Sequence, residues 1–172
     1  MRELSHNLIG LVYNPKIEGA ESLVEALVVS FELQDISWIS SVSNLENFVP
    51  ELTETRVLIT AGGDGTILRT VHVMAELEVP IVGINMGRVG FMSELSVDEA
   101  YTRLKNYLEG ELRIEERMML QACVGRPLTK HPRVIYHALN DVVIGQSGAT
   151  RLLDITARVD NTSLTTYRAD AV

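Results

Sequence analysis

A glycine-rich turn with one carboxylate inside it, Gly62-Gly63-Asp64-Gly65-Thr66, is the stretch of this sequence whose residue types are best suited to chemistry. It follows Arg56 to Thr60, which reads as a strand, and precedes Ile67 to Leu77, which reads as a helix. Glycines let the backbone turn sharply and come close to a ligand, and a helix amino terminus offers unpaired N–H groups to an anion. Together these make a phosphate cradle. A carboxylate in such a cradle repels phosphate, so Asp64 needs a task of its own. It could accept a proton from an attacking hydroxyl or help hold Mg2+ on a nucleotide. A tight turn in which Asp64 caps the helix accounts for the same residues without a ligand. The stretch lacks the closing lysine of a Walker loop, and its spacing is not that of the GxGxxG dinucleotide fingerprint.

About twenty residues further on stands a second glycine-bearing stretch, Gly83-Ile84-Asn85-Met86-Gly87-Arg88-Val89-Gly90-Phe91. Ala138-Leu139-Asn140-Asp141 and Tyr167-Arg168-Ala169-Asp170 follow. In this order the four motifs resemble the NAD kinases, which phosphorylate NAD to NADP, over the span from Asn7 to the last residue. The resemblance implies that Asp64 is the catalytic general base on the ribose 2'-hydroxyl of NAD, with Gly62, Gly63, Gly65 and Thr66 bordering the phosphates. It implies that Phe91 lines the adenine side and that Asn140 and Asp141 contact NAD. Many relatives carry Glu at the second of these two positions. Asp170 would reach NAD bound mainly by a neighbouring subunit, in a homodimer or homotetramer, with Arg168 beside it. Ala171 stands where the family usually has Gly. ATP or polyphosphate would be the phosphoryl donor, with Mg2+ or another divalent metal arriving on the nucleotide and no metal cage in the protein. Lipid kinases of the diacylglycerol and sphingosine type share GGDGT but usually follow it with a Pro-x-Gly-Thr motif. The family continues into a Thr- and Gly-rich segment that is absent here, so the natural chain is expected to extend past Val172. A catalytically incomplete nucleotide-binding fragment is the alternative of another class.

The elements that must position these residues alternate in type. Asn7 to Tyr13, Ile36 to Ser40, Arg56 to Thr60 and Ile81 to Ile84 read as strands of a parallel sheet. Between them, Ala20, Leu23, Val24, Leu27, Val28 and Phe31 form one helical stripe. Ser96 and Glu99 have the spacing of a capping box at the head of another helix, whose apolar face is Val97, Ala100, Tyr101, Leu104, Tyr107 and Leu108. After Gly110 the period changes. Leu112, Ile114, Met118, Leu120, Ala122 and Val124 share one parity, predicting a long strand. Val134 to Ile144 and Leu153 to Val159 also read as strands, with Asp160-Asn161 a hairpin turn into Leu164 to Tyr167. The expected fold is α/β: a Rossmann-like parallel-sheet domain over residues 1–110, then an incomplete β-rich domain over 111–172.

Composition bounds the function classes. With 46% hydrophobic and 22% charged residues, the 172-residue chain can bury a core. A formal charge of −8 argues against nucleic acid as a partner, because neutralising a phosphate backbone needs clustered Lys and Arg. Small-molecule nucleotides must be held by a local site. The lone Cys123 excludes an internal disulfide and reads as a buried, inert thiol. His72 and His137 read as structural, and the methionines as core filling. No apolar run approaches the length of a membrane span, and the first ten residues lack a signal-peptide pattern, so no membrane partner and a cytoplasmic location are expected.

Overall fold

The computed structural model describes residues 7–87, 90–110, 113–125, 134–145 and 152–172. The readings made above for residues 1–6, Arg88, Val89 and Leu112 lie outside the described residues. The chain divides into two compact units, Met1–Met118 and Met119–Val172.

The first unit is the parallel α/β sheet that the alternation of strand-like and helix-like segments implies. Its strands are β1 (Leu8–Tyr13), β2 (Ser37–Ser41), β3 (Thr55–Gly62), β4 (Ile81–Asn85) and the two-residue β5 (Leu95–Ser96), in the order β2-β1-β3-β4-β5. All four pairings are parallel. The strand order starts outward in opposite directions from β1 and β3, so their carboxyl ends mark a crevice where ligands of such sheets bind. β3 lies at the centre and is the most completely buried strand, with Val57 to Gly62 all buried. It therefore holds whatever follows Gly62 on a strand paired on both sides and buried by the core.

Helices cover both faces of the sheet. α1 (Ala20–Ser30) buries Ala20, Leu23, Val24, Leu27 and Val28, the stripe that the 3.6-residue period marks. With α4 (Val97–Leu108), which buries Ala100, Leu104 and Leu108, it packs on Ile9, Leu11, Ile59 and Ala61 to make one core cluster. A second cluster on the opposite face joins Val12, Trp38, Leu45, Leu52, Leu58 and Met74. It draws on α3 (Asp64–Met74), on a single 3-10 turn at Leu45–Phe48 and on the four-residue helix α2 (Val49–Leu52). Full burial of each large aliphatic side chain contributes about 1.5–3 kcal/mol. The capping box heading α4 is formed as its spacing requires: Ser96 Oγ accepts from the Glu99 N–H at 3.3 Å, and Glu99 Oε2 accepts from the Ser96 N–H at 3.0 Å.

The second unit is antiparallel. β6 (Leu120–Val124) pairs with β7 (Val134–Ala138), and β8 (Leu153–Val159) pairs with β9 (Thr162–Ala169). Asp160 and Asn161 turn β8 into β9 with φ of 49° and 66°, the two positive values that a two-residue hairpin of right-handed twist demands. Three expectations fail in this region. The long strand shrinks to Leu120–Val124, and Ile114 and Met118 are exposed, Met118 by 89%. The strand expected to reach Ile144 ends at Ala138, where the chain bends at Leu139 and Asn140. Cys123 is exposed, not buried. Shared parity puts apolar side chains on one face, but it buries them only where another layer packs on that face.

Candidate functional site at the carboxyl ends of the central strands

β3 delivers the glycine turn. Gly62 is its last residue and Gly63, in an extended conformation at φ −112° and ψ −173°, is the amino-terminal cap of α3. Asp64 is thus the first helical residue, three positions earlier than periodicity alone placed the start of the helix. No side chain caps α3, which removes the reading of Asp64 as a helix cap. Its half-buried carboxylate turns instead to the second glycine-bearing stretch. Oδ2 accepts from the Phe91 N–H at 2.9 Å and Oδ1 from the Met92 N–H at 3.2 Å. A carboxylate in the first turn is also favourably placed against the positive end of the helix dipole.

Thr66, 1% exposed, is the other polar residue of the turn, and Gly62 is what gives it room. A Cβ at Gly62 would collide with the Thr66 side chain. The Thr66 hydroxyl accepts from Asn14 Nδ2 at 3.3 Å, so the polar residue closing β1 is tied to the turn closing β3. Asn14 also donates its backbone N–H to Ala61 O at 3.1 Å, and its Oδ1 accepts from the Lys16 N–H at 3.0 Å. Gly63 and Gly65, by contrast, have open space where a Cβ would stand.

The segment after β4 is held at both ends. Met86 N–H donates to Gly62 O at 3.0 Å. Glu94 and Gly83 bond reciprocally, Gly83 N–H to Glu94 Oε2 at 2.9 Å and Glu94 N–H to Gly83 O at 3.0 Å. Between these anchors the Phe91 ring is 97% exposed, so it is not a plug for the core. The structure therefore brings together six of the residues expected at a site: Gly62, Gly63, Asp64, Gly65, Thr66 and Phe91.

The remaining expected residues lie in the second unit. Asn140 and Asp141 are exposed at the bend after β7. Arg168 stands opposite Asp154 in the β8–β9 register, and Asp170 Oδ1 accepts from the Ala171 N–H at 3.0 Å. Ile144 and Val172 exchange two backbone hydrogen bonds of 2.8 and 2.9 Å, linking the segment after Asn140-Asp141 to that after Arg168–Asp170. Among the described residues no group of three or more His, Cys, Asp and Glu could hold a metal ion.

Asn14 and Glu94 were not singled out from sequence. The available signal for Asn14 is positional: a polar residue ending a strand next to the glycine-turn strand shares its carboxyl edge in a parallel sheet. Glu94 gave none, since a lone glutamate in a loop reads as solvated.

Residues 23–112 match the family model described as the ATP-NAD kinase N-terminal domain, more than half of the chain. The chain belongs to the ATP-NAD kinase family. The match includes the glycine turn, α3 and the Phe91 segment. An NAD kinase of Dehalococcoides mccartyi strain BAV1 is 34% identical over 163 residues, covering 94% of this chain and 57% of that relative. An NAD kinase from Archaeoglobus fulgidus, solved in complex with ATP, is 26% identical with a TM-score of 0.66, covering 95% of this chain and 58% of that one. The yeast NADH kinase complexed with NADH is similar in fold, with a TM-score of 0.75 at 19% identity, over 95% of this chain and 56% of that one. The chain thus spans less than two thirds of the length of each of these proteins.

Proposed function

We propose that the chain supplies the phosphate and ribose side of an NAD kinase active site, transferring the terminal phosphoryl group of Mg-ATP to the adenosine ribose 2'-hydroxyl of NAD. The observation that carries this reading is the Asp64 carboxylate, held by two backbone N–H groups at the mouth of a glycine turn and beside an outward-facing aromatic ring. Each Asp64 oxygen spends one lone pair on a backbone N–H and keeps another for a substrate hydroxyl. The hydroxyl oxygen attacks the γ-phosphorus, its proton passes to Asp64, and the bond to the bridging oxygen breaks so that ADP leaves. Such a base contributes roughly 10²- to 10⁴-fold. Gly63 and Gly65 leave room for phosphate oxygens at the α3 amino terminus. Phe91 offers a flat apolar face for adenine.

Mg2+ would enter with the nucleotide and neutralise the charge of its phosphates. By the family resemblance, Asn140, Asp141, Arg168 and Asp170 are also NAD-contacting residues, with Asp170 directed toward a neighbouring subunit of a homo-oligomer. The reading takes the enzyme to be cytoplasmic. Among the described residues no helix is long and apolar enough to cross a membrane.

The test is acceptor choice in the gene product that carries this chain. With Mg-ATP labelled in the γ-phosphate, label should appear in NADP when NAD is supplied and not in lipid when diacylglycerol is supplied. Label in the lipid alone would refute the proposal.

A further inference from the structure

Gly90 stands against the Asp64 carboxylate, and its missing side chain is what lets the two segments meet. A Cβ there would collide with Asp64 Oδ1 and come within 2.7 Å of Cγ and 3.0 Å of Oδ2. The space that a side chain at Gly90 would fill is taken by the proposed base. The next two residues, Phe91 and Met92, donate the N–H groups that grip both carboxylate oxygens.

We infer that Gly90 is a positioning residue of the phosphoryl transfer: it admits the Asp64 carboxylate into a clamp of two consecutive N–H groups, which sets the orientation of the base and the place of the Phe91 ring together. The inference rests on the kinase reading for its catalytic consequence and on geometry alone for the clamp. Asp64 cannot rotate without surrendering one of the two hydrogen bonds. The loop cannot slide to accommodate it freely, because Glu94 fastens its far end to Gly83. A methyl group at Gly90 must lift Phe91 and Met92 off the carboxylate or turn the carboxylate away. Either movement displaces the base from the ribose hydroxyl and the ring from the adenine side. The phosphate turn is left intact, since Gly62 and Thr66 take no part in the clamp.

Two readouts test this in the gene product. Gly90→Ala should lower kcat by about 10²-fold, the scale of a misplacement of about 1 Å, and raise KM for NAD while KM for ATP stays within about twofold. Unchanged kcat in a folded Gly90→Ala protein would overturn the inference. The second readout does not need turnover. Gly90→Ala should lower the melting temperature by roughly 3 °C or more in the parent and by much less in an Asp64→Ala background, where the colliding carboxylate is gone. Equal losses in both backgrounds would also overturn it. Should Gly90→Ala alone fail to fold, the doubly substituted protein should fold, and its failure would count against the clamp. A coupled melting loss in a parent that makes no NADP would retire the kinase reading and leave the clamp standing.

Discussion

At the scale of single residues, the glycines of the turn separate into two kinds. Gly62 is needed by the fold, because Thr66 occupies the space of its absent side chain. Gly62→Ala should cost about 1–3 kcal/mol of stability, the usual cost of overpacking, read as a lower denaturation midpoint. Gly63 and Gly65 face open space with backbones that L-residues adopt, so their Ala variants should fold with unchanged or slightly raised stability. Gly63→Ala should nevertheless raise KM for ATP several-fold in steady-state kinetics, because the proposed function gives the space it fills to a phosphate. If Gly63→Ala neither destabilises nor alters KM, no phosphate approaches that face of the turn. The turn itself was legible in the sequence, since five consecutive residues suffice to specify it. The partner of Asp64 was not. Phe91 and Met92 contribute main-chain N–H groups, and a backbone donor carries no residue signature.

At the scale of elements, legibility followed periodicity and burial. The stripe of α1 and the capping box of α4 were readable because each is written in local spacing. α2 and β5, with four and two residues, are too short to show a period. The start of α3 was hidden because Gly65 reads as loop, although a helix begun on a buried central strand tolerates one glycine in its first turn. Ser96→Ala should cost about 1 kcal/mol, the usual worth of such a cap, measurable by chemical denaturation. The Ser96 N–H foremost, with the Ser96 hydroxyl and Arg103 adding to it, holds the Glu99 carboxyl below its ordinary value of 4.5. A lowered folded-state value means that this stabilisation is fully present above 4.5 and is lost as pH falls through the lowered value. The melting-temperature gap between the parent and Glu99→Gln should therefore shrink as pH is taken from neutral to well below 4.5. A gap that widens on acidification would contradict that sign.

At the scale of the whole molecule, both hydrophobic clusters belong to residues of the first unit. Among the described residues of the second unit none is buried. Residues 1–118 alone should accordingly give one cooperative thermal transition, whereas residues 119–172 alone should give none, as expected of two strand pairs whose described residues include no buried side chain. Calorimetry of the two pieces checks both statements. The same contrast explains why the sequence announced the first unit's architecture so much better than the second's. In β1, β3 and β4 apolar runs are required by burial on both faces. In β6 and β7 none of the apolar residues is buried, so their pattern did not fix how far each strand runs.

Everything proposed for the glycine turn depends on Asp64 acting as the base of an NAD kinase. The most direct measurement is NADP formation from NAD and Mg-ATP by the gene product carrying this chain, beside its Asp64→Ala variant, with folding of both confirmed by melting. NADP from the parent and a loss of about 10²-fold or more in kcat for the variant is the predicted result. A folded variant that makes NADP at the parental rate would contradict it.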